Sequence, residues 1–141
     1  MDLAREAERL GIRFGHAIDP VGRPVERAYS LFQWARTRGK ADELLLAFAR
    51  GAFAEAIDTG TNAGIRKVVE RAGLDFAEAR DALDGDAWRA EFEENRRAMY
   101  AAGLWGVPSF RVSGPRGRPD YATWGQDRLF RVAQEIEQRA G

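Results

Sequence analysis

The sequence predicts an α+β protein that is predominantly helical. Through the first 102 residues apolar side chains recur at helical spacing, with a glycine, proline or capping residue at the breaks. After Gly103 the spacing changes to strand-like alternation, and a final stretch returns to helical period. The expected organisation is a helical domain over residues 1–102 and a strand–strand–helix unit over 103–141.

From Asp2, the apolar positions Leu3, Ala7 and Leu10 share a helix face and Gly11 supplies the stop. The following segment, rich in glycine and proline, breaks the pattern. Pro24 suits the first turn of a helix expected over about Val25 to Thr37, because its missing N–H would be unpaired there anyway. "ADELLLAFARGAFAEAID" carries a wide stripe at Leu44, Leu45, Phe48, Ala49, Ala52, Phe53 and Ala56, which predicts a buried-face helix that tolerates Gly51. Thr61, Asp75 and Asp86 stand where they can cap "NAGIRKVVERAG", "FAEARDALDG" and the long "AWRAEFEENRRAMYAAG". Trp34, Trp88 and Phe53 are expected in the core. "SFRVSG" alternates Phe110 and Val112 against Arg111 and Ser113, and "YATW" follows a turn-rich "GPRGRPD", which predicts a hairpin near Ser109–Ser113 and Tyr121–Trp124. Leu129, Val132, Ala133 and Ile136 then place a closing helix. A hairpin alone is only marginally stable, and no convincing third strand precedes it, so the unit reads as part of a larger sheet.

Composition excludes several function classes. Lys plus Arg and Asp plus Glu number 22 each, so the zero net charge gives no bulk attraction to nucleic acid or anionic membrane. No run approaches the ~18 apolar residues of a membrane span, and no signal peptide is evident, so the expected location is cytoplasmic. There is no cysteine, which excludes disulfides, thiolate metal sites and dithiol chemistry within these residues. The only histidine, His16, lies in a Gly/Pro loop without nucleophile or metal-ligand company and reads as a loop residue. Glu91, Glu93 and Glu94 do not all share a face, and Arg96 and Arg97 follow, so they read as a solvated charged face. No catalytic residue and no metal ligand is assigned.

Two short stretches remain, "GLWGVPSFRV" and "WGQDRL". Pro108 directly before a strand is compatible with a trans proline at an edge or with a cis bend, since an X–Pro bond costs only ~0.5–1 kcal/mol in the cis form. Gly125 allows a tight turn into the last helix, where the N–H groups near Gln126 and Asp127 suit a carboxylate and the Asp127 side chain suits an ammonium; Asp127 as a plain helix cap is the other reading. Trp105 and Trp124 flank these stretches and could wall an apolar pocket.

Together, "GVPSF" and "WGQDRL" resemble the C-terminal signature of the DsbA-like thioredoxin-fold group that includes 2-hydroxychromene-2-carboxylate isomerases and kappa-class glutathione transferases. The helical stretch before them resembles the domain inserted into that fold. The resemblance implies a helical insertion followed by the strand–strand–helix half of a thioredoxin fold, with the first strand–helix–strand absent. It implies that Val107–Pro108 is cis, that the Val107 backbone pairs with the cysteinyl part of glutathione, and that Gln126 and Asp127 hold its γ-glutamyl end. Trp105 and Trp124 would then face an aromatic small molecule. The reactive group of such proteins, a serine or a Cys-x-x-Cys pair, sits at the start of the first helix, outside these residues.

Three functions follow as expectations: the C-terminal portion of a glutathione-dependent isomerase or transferase, with glutathione as cosubstrate; a DsbA-like thiol-disulfide oxidoreductase portion; or a non-catalytic helical interaction domain. A missing N-terminal half or a homo-oligomer partner would complete the site in the first two.

Overall fold

Five helices build the first of two units into which the chain divides, Met1–Trp88 and Arg89–Gly141. The computed structural model describes residues 2–115 and 118–140. Helix α1 (Asp2–Arg9) ends where the sequence places its stop: Gly11 takes φ 64°, and the Ile12 N–H turns back to the Ala7 carbonyl at 2.8 Å. Ala7 is buried, Leu10 is exposed, and the Leu3 side chain lies outside the described set. Helix α2 (Arg23–Arg36) carries Pro24 in its first turn. Helix α3 (Ala41–Ala54) packs on both α2 and α4 (Asn62–Arg71), and the short α5 (Phe76–Ala79) closes the unit.

The core is made by Leu31 and Ala35 of α2, Leu44 and Phe48 of α3, and Ile65, Val68 and Val69 of α4, with Ile57, Leu74 and Phe76 from the connections and α5. Two of the three expected caps are made: the Thr61 hydroxyl accepts the Gly64 N–H at 3.0 Å and the Asp75 carboxylate accepts the Ala77 N–H at 2.7 Å, whereas Asp86 lies two residues ahead of the helix that begins at Trp88 and does not cap it. Three expectations are corrected. Phe53 is 40% exposed and Leu45 is exposed too, because the α3 stripe is wider than the arc its neighbours cover. The helix predicted over "FAEARDALDG" stops at Ala79, with turns to Asp84 at φ 64°. Trp34 is only partly buried against the core, and Trp88 is half-buried with its ring centroid 5.2 Å from that of Tyr29.

A polar clasp pins the loop before α4. Arg27 is 2% exposed, its Nη1 donates to the Gly60 carbonyl at 3.1 Å, its Nη2 to Asn62 Oδ1 at 2.6 Å and its Nε to Asp84 Oδ1 at 3.1 Å. The buried Thr59 hydroxyl donates to the Pro24 carbonyl at 3.0 Å, and the Ser30 hydroxyl accepts the Asp84 N–H. His16 enters the fold through its backbone, in an isolated parallel bridge to Glu55.

Helix α6 (Trp88–Ala101) has its first residue in the first unit and the rest in the second, whereas the sequence reading groups it with the helical block. Its carboxylates divide as their helical positions dictate: Glu93 binds Arg96 at 2.8 Å and Arg97 at 2.9 Å, one turn on. Hydrogen bonds from Arg96 and then Arg97 hold the Glu93 carboxyl down to about 2, from an ordinary 4.5. A folded pKa lowered in this way makes the ion pairs persist well below the normal carboxylate range and disappear as pH falls from about 4.5 through about 2. An NMR titration of the Glu93 side chain is expected to give a midpoint near 2, and a midpoint at 4 or above would show that the fork is not formed in solution.

Gly103, at φ 71°, ends α6 with its N–H on the Tyr100 carbonyl. Strands β1 (Ser109–Val112) and β2 (Tyr121–Trp124) form a two-stranded antiparallel sheet, with Ser109 opposite Trp124 and Val112 opposite Tyr121. A 3-10 turn (Gln126–Arg128) leads into α7 (Leu129–Ala140), which packs on β1. Arg118 donates to the Gln138 carbonyl at 3.0 Å, and Arg139, its side chain 7% exposed, donates to the Pro119 carbonyl and to Glu135, so the hairpin tip is tied to the end of α7. Arg116 lies outside the described residues. Among the described residues, no helix is long and apolar enough to cross a membrane.

Candidate functional site

The two signature stretches meet in the second unit. The Gly125 N–H donates to the Pro108 carbonyl at 2.9 Å, which extends the hairpin by one bond beyond Ser109–Trp124 and sets the turn before α7 against the loop before β1. The Val107–Pro108 bond is cis. The Ser109 hydroxyl donates to the Gly106 carbonyl and so is turned into the loop. Val107 is 80% exposed, and neither its N–H nor its carbonyl bonds to another described residue. A short stretch of unpaired main chain is thus presented to solvent at the end of a strand, the arrangement that captures an extended peptide by ladder hydrogen bonds.

Trp105 and Trp124 come together, with ring centroids 4.4 Å apart at 52°. They pack tilted against one another rather than standing as opposite walls, and Trp105 remains 69% exposed. Gly106 makes this possible: a Cβ there would fall 2.7 Å from Cδ2 of the Trp124 indole. The expected result for Gly106→Ala is that the indole moves off the backbone and the two rings separate, read as loss of the coupled near-UV circular dichroism of the pair. An unchanged spectrum would show that the loop absorbs the methyl without moving Trp124. The sequence carried a signal for this contact, a glycine between an aromatic and the signature proline, but not its partner.

At the start of α7, Gly125 has φ 103°, a conformation that side chains rarely adopt, and a Cβ there would land on the Asp127 carboxylate. No side chain caps the turn, so Asp127 is not acting as its N-cap, and Gln126 and Asp127 are both exposed. The site therefore offers a main-chain donor and acceptor at Val107, uncapped N–H groups and a carboxamide at Gln126, and a carboxylate at Asp127. That donor set matches a small peptide carrying a carboxylate and an ammonium, while the exposed indole of Trp105 adds apolar surface beside it. Among the described residues no group of three or more histidines and acids is placed to hold a metal ion.

A helical block, an antiparallel hairpin entered through a cis proline and a closing helix define a DsbA-like, thioredoxin-type α+β domain. A model of the DSBA-like thioredoxin domain family matches residues 1–137, and the chain belongs to that family. Among solved structures, it is similar to the cytosolic disulfide reductase DsbM from Pseudomonas aeruginosa, with 23% identity and a TM-score of 0.69 over 98% of this chain and 74% of that one. Comparison with curated proteins gives no match.

Proposed function

We propose that this chain is the thiol-ligand-holding portion of a glutathione-dependent isomerase or transferase of the DsbA-like family, acting in the cytoplasm. The observation that carries the reading is the Gly125–Pro108 hydrogen bond, which couples the exposed Val107 main chain to the uncapped turn at Gln126 and Asp127. In this reading the Val107 N–H and carbonyl pair with the cysteinyl part of glutathione, the turn at Gln126 receives the γ-glutamyl carboxylate, and Asp127 receives its ammonium. Trp105 and Trp124 lie along the aromatic cosubstrate. Glutathione supplies the thiol; the group that ionises it is not among these residues, because the chain has no cysteine and Ser109 is committed to Gly106.

Calorimetry with reduced glutathione is expected to give a dissociation constant of roughly 1 mM, the ~4 kcal/mol regime of a partly formed site. Asp127→Ala is expected to weaken it about tenfold, the loss of one charged hydrogen bond. The similarity to a disulfide reductase favours a second reading, in which the Val107 main chain holds a cysteinyl peptide instead. The two separate cleanly: equal binding of glutathione and of a cysteinyl peptide lacking the γ-glutamyl group, indifferent to Asp127→Ala, would replace the first reading with the second. Binding of neither at 20 mM, roughly twentyfold above that expected constant, would sink both and leave a helical interaction domain.

A further inference from the structure

Helix α3 is apolar on both sides, and the first unit buries only one of them. Leu44, Ala47, Phe48 and Ala52 are buried, whereas Leu45, Leu46 and Phe53 are 55%, 56% and 40% exposed, with Ala49 half-buried among them. Counted from Asp42, these last four stand at i+3, i+4, i+7 and i+11, the spacing of a single helix face. Exposed leucines scattered singly are ordinary, but a row of large apolar side chains on one face marks a contact surface.

The charges on the same face say what it meets. Glu43 is taken up by Lys40 at 2.8 Å, while the side chains of Asp42 and Arg50, both exposed, have no ion-pair or hydrogen-bond partner among the described residues. Eight residues separate them, about 12 Å along the axis at ~1.5 Å per residue, so they do not meet within their own helix. Turned end for end about Leu46, which lies midway between them, a second copy of α3 brings its Arg50 level with Asp42 and its Asp42 level with Arg50. Leu46 then meets its own equivalent on the two-fold axis, Leu45 and Ala49 flank it, and Phe53 closes each end. In a parallel pairing the same charges would oppose like with like. A patch that is its own complement under a two-fold rotation is what a symmetric contact between identical chains requires.

We propose that the outer face of α3 is the contact between two copies of this chain, packed as antiparallel helices about Leu46 with Asp42 of each paired to Arg50 of the other. One helix on one helix buries less than the ~1,200 Å² of a standard interface, so the dimer is weak, with a dissociation constant of roughly 100 μM. The apolar row supplies the affinity, and the exposed charges mainly fix the orientation. The inference lies within the first unit and makes no use of the glutathione reading.

Sedimentation of the chain from about 10 μM to about 1 mM, tenfold either side of that constant, is expected to show a reversible monomer–dimer equilibrium. Leu46→Glu should weaken it at least tenfold while leaving the denaturation midpoint unchanged, since Leu46 is already in water in the monomer. Asp42→Arg or Arg50→Asp alone should each weaken self-association about fivefold, because symmetry makes one reversal spoil two pairs. The two reversals together in one chain should restore it, as should mixing the two single variants in equal amounts. A chain that stays monomeric throughout the range would overturn the proposal, as would a dimer indifferent to Leu46→Glu. A dimer that is lost with Leu46→Glu but not restored by the double reversal would also overturn it, by showing a contact without the antiparallel Asp42–Arg50 pairing.

Discussion

Replacing Gly64 by alanine is expected to destabilise the first unit by about 3 kcal/mol, a large value for one methyl group and opposite in sign to what helix propensity alone gives. Gly64 lies in the first turn of α4, where an alanine would ordinarily gain up to about 1 kcal/mol. Here its Cβ would overlap the Asp58 carbonyl carbon and oxygen and sit 3.1 Å from the Thr59 nitrogen, all of them backbone. Overpacking against backbone that is itself pinned is at the upper end of the usual ~1–3 kcal/mol. Gly51 is the control. It also sits inside a helix, but a Cβ there meets only Ile57 and Val68 side-chain atoms at 3.4–3.5 Å, ordinary contact. Gly51→Ala is expected to be neutral or stabilising by up to about 1 kcal/mol. Chemical denaturation of the two variants checks both, and equal effects would show that the Asp58 loop yields.

The second large effect is expected at Arg27. Arg27→Leu should cost about 3 kcal/mol, because it strips hydrogen bonds from the buried Thr59 carbonyl and the half-buried Gly60 carbonyl, and desolvated acceptors left without partners cost about 1–3 kcal/mol each, whereas the exposed Asn62 regains water. Asp84 adds less, since its side chain is 45% exposed and regains water. Arg27→Lys should recover little, because one ammonium cannot reproduce the fork that reaches Asp84, Gly60 and Asn62 together. Denaturation midpoints decide this, and a Lys variant as stable as the parent would show that charge rather than geometry matters.

Why these two positions were illegible in the sequence is instructive. Gly64 stands third from the Thr61 cap and reads as an unremarkable helix residue, and Arg27 reads as one of 22 basic side chains. Neither residue's type marks it, because what makes both critical is the backbone of the 58–60 loop, which the structure folds back over Gly64 and brings to Arg27 from far along the chain. The docked signature stretches divide in the same way. "GVPSF" and "WGQDRL" could be singled out from residue types, yet only the folded hairpin brings the Gly125 N–H to Pro108 and lays Trp124 against Gly106.

By itself the sequence determined what depends on neighbours one turn or one residue away: the helices and their caps at Thr61 and Asp75, the stops at Gly11 and Gly103, and the hairpin with its change of period. Tertiary structure decided how much of each apolar stripe is used. The α3 stripe exceeds the arc its neighbours cover and leaves Phe53 and Leu45 in water, and α7 turns Val132, Glu135 and Arg139 inward while Leu129 and Ile136 stay exposed. Periodicity reports which residues lie on one face of a helix; what that face meets depends on elements distant in the chain, and apolarity alone does not say whether they are there.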